Sequence, residues 1–172
     1  MRYALLLIES LCIVTVACKP ITPIRLQPTI EDSALARSIR FSETPKADQL
    51  LRGFYDIQSG SWRWTAPQFA VVLGTPAGAA TRGARLTLEF DLPDASIASL
   101  RNMTVAAKIS DLPLPPETYT TPGPHQYRQE VPASAFVKQD TTVEFSVDKF
   151  LTPPNDGRNL ALVVTAIALD PK

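Results

Sequence analysis

Apolar and polar residues alternate along most of the chain after Leu50. In ARLTLEFD at 84–91, Leu86, Leu88 and Phe90 share one parity and Arg85, Thr87, Glu89 and Asp91 the other. That period of two predicts a strand with one dry face and one wet face. In MTVAAKI at 103–109, Met103, Val105, Ala107 and Ile109 alternate with Thr104, Ala106 and Lys108; in TTVEFSV at 141–147, Val143, Phe145 and Val147 alternate with Thr142, Glu144 and Ser146. FAVVL at 69–73 and QYRQEV at 126–131 add two shorter strands, the latter with Tyr127, Gln129 and Val131 on one parity. LALVVTAIAL at 160–169 is apolar on both parities, as a helix could also be. Its length, its Val, Ile and Thr content and its neighbours predict a central strand buried on both faces.

Proline and glycine divide these segments at Pro76 and Gly78, Pro93, Pro113 to Pro116, Pro122 to Pro124 and Pro153 to Gly157, all of which read as loops. GTPAGAATRG at 74–83 reads as a hairpin loop, since it lacks the Gly-Lys-Ser/Thr ending that cradles phosphates. One-sided strands must cover their dry faces with a second layer. The expected fold class is therefore all-β, a two-layer antiparallel β-sandwich of jelly-roll-like form over residues 48–172.

Residues 18–47 lack sustained alternation and carry four prolines, which predicts a tether; within it, Ile30 to Arg40 could form a short helix with Leu35 and Ile39 one turn apart. Residues 1–17 have the layout of an export signal, with Arg2, an apolar run from Ala4 to Val16, and small Ala17 before Cys18. Thr15-Val16-Ala17-Cys18 is similar to a bacterial lipobox, although Thr15 stands where a branched aliphatic is usual and Glu9 interrupts the apolar run. Cleavage before a lipidated Cys18, an ordinary signal cut after Ala17, and an uncleaved anchor all remain open. Cysteine usage favours the first: the chain has two cysteines, Cys12 leaves with the signal, and Cys18 would have nothing to pair with outside the cytoplasm. Lys19 after Cys18 favours the outer membrane over inner-membrane retention, where the cell has both.

At 172 residues the chain fits one domain plus tails. Lys plus Arg and Asp plus Glu are each 17, so there is no basic excess to meet a phosphate backbone, and no nucleic-acid partner is expected. His125 is the single histidine, within a proline-rich loop, which supports no metal site. There is no GxSxG elbow, no HExxH pair and no cofactor motif. Glycoside hydrolysis would need only two facing carboxylates, for which Asp56, Asp91, Asp94, Asp111, Glu117 and Glu130 are candidates without any pair standing out. No catalytic residue is assigned. Trp62 and Trp64 share a parity before Pro67 resets the register, and Ser59-Gly60-Ser61 predicts a turn just ahead of them. They either cover one end of the sandwich or form a half-wet stacking surface.

LLRGFYDIQSGSWRWT at 50–65, MTVAAKISDLPLPPETY at 103–119 with VPASAF at 131–136, and FLTPPNDGRNLALVVTAIAL at 150–169 resemble bacterial galactose-binding-domain-like modules. Ser110-Asp111 stands where such modules usually carry Asn-Gly. The resemblance implies a jelly-roll module of the kind found beside glycan-active enzymes or in cell-envelope proteins. It implies a non-catalytic glycan or envelope ligand, with Trp62 and Trp64 stacking and Tyr55, Tyr119, His125 and Tyr127 donating or accepting hydrogen bonds from nearby loops. The alternative is a structural or assembly lipoprotein that docks on another envelope protein.

Overall fold

The computed structural model describes residues 35–43 and 47–172. The expected export signal, Cys18 and most of the expected tether lie outside the described residues.

Among the described residues, ten strands run β1 Ser38–Arg40, β2 Leu50–Gln58, β3 Trp62–Gly74, β4 Ala84–Leu92, β5 Met103–Ile109, β6 Leu112–Pro113, β7 Glu117–Tyr119, β8 Gly123–Val131, β9 Asp140–Val147 and β10 Val163–Pro171, with short helices α1 Ala79–Arg82 and α2 Asp94–Leu100. All pairings are antiparallel. One layer is β2-β3-β9-β5, with β6 and β7 along the far side of β5; the other is β10-β4-β8, with β1 also on β10. β4, β5, β8, β9 and β10 then fall alternately in the second and first layers. This strict alternation is the jelly-roll-like feature, and it makes the fold the all-β, two-layer antiparallel sandwich expected.

β3 joins the layers. Arg63 and Trp64 pair with β10, whereas Gln68 to Gly74 pair with β9. Pro67 sits at the change of partner, where a missing N–H costs no ladder bond, so the strand runs straight through the residue expected to reset it. The dry parities are the buried ones: Leu86, Leu88, Phe90, Met103, Val105, Ile109, Val143, Phe145 and Val147 are all in the core. Phe69 and Phe145, direct cross-strand partners, stack at 4.8 Å, and Phe54 meets Phe69 edge-on at 5.3 Å.

Four local expectations are corrected. Ser38–Arg40 is a strand paired with Ala166–Ala168, not part of a helix, because Ile39 buries itself beside its partner Ile167. The sandwich consequently begins inside the segment read as tether. Residues 74–83 do not make a hairpin loop; they carry α1 across from one layer to the other, since β3 and β4 are not paired. Asp94–Leu100 is a helix after Pro93 that alternation did not reveal, with Ile97 and Leu100 packed on the core. β8 starts at Gly123 and so includes Pro124, tolerated because β8 pairs only with β4 and lies at a sheet edge. The apolar run at 160–169 is a central strand, beginning three residues late at Val163, with a bulge between Val164 and Ala166.

Candidate functional site

The two tryptophans open β3. Trp62 and Trp64 are both half-buried, with ring centroids 6.5 Å apart and planes turned by 83°, so they form a corner rather than a flat platform. Their parity is the outer one, since Thr65, the next residue, is wholly buried. Pairing register extends this face across the layer: Trp64 lies opposite Val163, Val163 opposite Asp91, and Asp91 opposite Pro124. Directly opposed residues of neighbouring strands put their side chains on the same face.

At the far end of that row lies a recess of ≈ 560 Å³ lined by Phe90, Asp91, Tyr119, His125, Gln126 and Thr165, among others. Its lining draws on both parities of the β4-β8 pair: Asp91 and Gln126 are on the outer one, Phe90 and its partner His125 on that of the core. Phe90 meets Tyr119 edge-on at 5.0 Å and His125 at 5.8 Å, and Tyr119 and His125 lie 4.9 Å apart. His125 Nε2 lies 2.8 Å from the Thr121 carbonyl, which can only accept. Nε2 thus carries a hydrogen and donates to that carbonyl. Glu89, on the same strand as Asp91, receives Arg40 at 3.2 Å and Gln126 Nε2 at 3.4 Å. Among the described residues, no hydrogen bond or ion pair engages the Asp91 carboxylate.

The remaining expected residues are placed differently. The Tyr119 hydroxyl is engaged within the fold, its single hydrogen donated to Glu117 Oε2 at 2.8 Å with the Gln126 carbonyl the alternative acceptor at 3.1 Å. Burial, and then the hydrogen bond to Glu117, push its ionisation well above that of an ordinary tyrosine. Tyr127 is corrected: it is wholly buried, its hydroxyl donates to the Pro115 carbonyl at 2.8 Å, and burial raises its pKa to about 12. Its parity, the same as that of Val131, points it into the core. Tyr55 stands apart, under the Arg158 guanidinium at 5.2 Å, with its hydroxyl donating to the Asn159 carbonyl at 3.2 Å. Arg158 is itself fixed by Asp156 through bonds of 2.5 and 2.6 Å, which hold that carboxyl below its usual range.

Of the candidate carboxylates, Glu130 is held by Arg85 at 2.8 Å and Lys172 at 2.6 Å, Asp111 by Lys108 at 3.6 Å, and Glu117 by Tyr119 and Gln129. Phe90, Gln126 and Thr165 were not legible as site residues. Phe90 reads in the sequence only as a core position, and the other two gain their place from pairing across β10, β4 and β8. A second hollow, of ≈ 510 Å³, lies on the other layer beside Arg52, Ala106, Lys108, Leu114, Glu144 and Ser146. Its charges are already matched, Glu144 to Arg52 and, at 3.4 Å, to Lys108. Among the described residues, no group of three His, Cys, Asp or Glu is arranged to hold a metal, and no helix is long and apolar enough to cross a membrane.

No protein-family model and no curated protein matches this chain. Among solved structures it is similar to the CBM36-1 domain of a multidomain xylanase from the hindgut metagenome of Trinervitermes trinervoides, at 11% identity and a TM-score of 0.42, covering 78% of this chain and 96% of that one. It is similar also to an acetyl xylan esterase from the rumen bacterium Butyrivibrio proteoclasticus, at 14% identity and 0.45, covering 78% of this chain and 32% of that one. A structure described as "CBM4 structure and function" aligns at 14% identity and 0.34, covering 69% and 77%. Likenesses this distant carry no weight here; the strand pairing alone defines the sandwich.

Proposed function

We propose that the sandwich is a non-catalytic module that binds a saccharide on the outer face of the β10-β4-β8 layer, carried outside the cytoplasm on a lipidated Cys18. The observation behind this reading is the half-buried Trp62–Trp64 pair on the outer face of the sandwich, with Trp64 in one cross-strand row with Val163 and Asp91, where Asp91 borders the ≈ 560 Å³ recess. Aromatic faces with partial wetting suit the apolar face of a sugar ring, and a concave aromatic site with a few fixed polar groups is the usual form of a small-ligand site. Buried tryptophans would have removed it. The anchoring part rests on the Ala17-Cys18 motif and the lack of a partner for that thiol.

Titrating cell-wall and exopolysaccharide fragments against the wild type and a Trp62→Ala/Trp64→Ala variant tests the binding. Saturable binding that the variant loses is expected; equal, featureless responses would remove the proposal. Mass spectrometry of the mature N-terminus tests the anchor, with a diacylated or triacylated Cys18 expected and an intact leader or bare thiol refuting it.

A second reading, docking on another envelope protein, finds its support in the ≈ 510 Å³ hollow of the other layer. Against it, the exposed large apolar residues among those described, Leu51, Val137 and Phe150, lie on separate segments of the chain. Substitution of Ala106 by Lys would block that hollow and separate the two readings, because it leaves the tryptophan face untouched.

A further inference from the structure

Resting on the saccharide reading, we infer that the Trp62–Trp64 corner seats a cationic amino group, so that the saccharide it binds carries free amines. The corner lies between two carboxylates. On one side Val163 separates Trp64 from Asp91 along the cross-strand row, which places Asp91 two inter-strand spacings away, about 10 Å. On the other side β2 bulges: Phe54 pairs with Thr65 and Ile57 with Arg63, which leaves Tyr55 and Asp56 together opposite Trp64. Phe54 and Ile57 both pack on the core, and each residue between them adjoins one of these, so both turn outward onto the face of the indoles. The backbone of Asp56 is therefore one spacing from that of Trp64, about 5 Å.

The charges around the corner are unequally committed. Among the described residues, no hydrogen bond or ion pair engages the carboxylate of Asp56 or of Asp91; at Asp56 it is the backbone carbonyl that accepts from Gln58 Nε2, at 3.4 Å. The nearby cations are already directed elsewhere. Arg158 is bound twice by Asp156 and lies over the Tyr55 ring, while Arg63 points inward, donating to the Tyr55 carbonyl at 2.8 Å and lying over Phe41. Two unpaired carboxylates thus bracket two indoles. An indole face attracts a cation through its quadrupole, and planes turned by 83° let a compact group touch both rings, whereas a flat sugar ring stacks on one. An ammonium also offsets the repulsion between the two carboxylates, which a hydroxyl does not, and the carboxylate of an acidic sugar would add to it.

Trp62 and Trp64 are the only tryptophans in the chain, so intrinsic fluorescence reads the corner directly. Tetrasaccharides of β-1,4-linked glucosamine, N-acetylglucosamine and glucose share one backbone and differ at one substituent. Each is titrated by fluorescence and calorimetry against the wild type, Asp56→Asn, Asp91→Asn and Asp56→Asn/Asp91→Asn, with thermal midpoints to confirm folding. Tetramethylammonium, a cation with no sugar and no proton to lose, is the charge probe. The wild type should bind the glucosamine form about ten-fold more tightly than the other two, each single variant should weaken that form alone, and the double variant should bind all three equally. Raising the pH through the ligand's own amine titration should abolish the preference, while quenching by tetramethylammonium stays constant. Equal affinity for the three tetrasaccharides, or a glucosamine preference that the double variant keeps, would overturn the amine seat while leaving saccharide binding intact. If no saccharide bound the wild type, the functional reading would fall and this inference with it.

Discussion

Ser110 and Asp111 show how much a two-residue turn can demand. Both take positive φ, 47° and 71°, between β5 and β6, whose Ile109 and Leu112 are paired. Two left-handed residues in a two-residue hairpin define the mirror-image turn that follows the twist of its strands, a geometry in which Asn-Gly is unstrained. The pair that departs from the resemblance in sequence therefore keeps its backbone shape, at a cost of the order of 1 kcal/mol per residue. Ser110→Asn/Asp111→Gly should raise stability by about 1 kcal/mol in denaturant unfolding, with saccharide binding unchanged. Tyr127 supplies a test of opposite sign. Its pKa is about 12 in the fold against 10 in an ordinary tyrosine, so between those values the unfolded chain has lost a proton that the folded chain keeps. Stability attached to Tyr127 is complete below pH 10 and is lost as pH rises through 12. Unfolding midpoints should fall over that window in the wild type, and fall less in Tyr127→Phe.

Elements were legible in the sequence where their cause is local. Alternation located β4, β5 and β9 because each carries its own dry and wet parity, whereas β10 was read from the length and Val, Ile and Thr content of an unbroken apolar run. It failed where the cause is a distant partner: Ile39 reads as easily on a helix as on β1 until Ile167 is set beside it. The 74–83 crossover looked like a hairpin loop because composition marks a turn but not which layer the next strand joins. The site divides in the same way. Trp62, Trp64, Tyr119 and His125 announced themselves by residue type, whereas the row through Val163 and Asp91 exists only in the register. Gln49 shows one distant pairing at work. Wholly buried, it accepts from Ala36 N at 2.9 Å and donates to the Ala36 and Val72 carbonyls at 3.0 and 2.7 Å, clipping the segment before β1 to β3. Gln49→Ala removes three bonds and strands backbone groups out of water, which should cost about 2 to 4 kcal/mol. Hydrogen exchange at Ile39 and Phe41 should accelerate more than at β9; uniform acceleration would mean that the clip serves the whole sandwich.

For the whole molecule, the decisive question is where the folding unit begins. Alternation places the start near residue 48, yet Ile39 and Phe41 are 2% and 0% exposed, Phe41 packs on Phe54 at 6.0 Å, and Arg63 lies over the Phe41 ring at 5.6 Å. These contacts sit where β3 passes from one layer to the other, so β1 caps the open side of β10 beyond the reach of β3. Burying those two side chains contributes about 3 to 6 kcal/mol, a large part of the 5 to 15 that holds a domain of this size together. A chain cut back to Ala47 should therefore lose most of its stability, exposing Phe54 and the β10 edge and aggregating through that edge. A chain beginning at Leu35 should unfold cooperatively at the wild-type midpoint. Ile39→Ala in the longer chain separates the causes: a loss of about 2 to 4 kcal/mol assigns the effect to packing, and a negligible loss assigns it to the β1 ladder. Because Phe41 N donates to the Thr165 carbonyl, next to the Val164–Arg63 and Val163–Trp64 pairs that hold the tryptophan corner, the truncated chain should also lose saccharide binding before it loses its far-ultraviolet β signal.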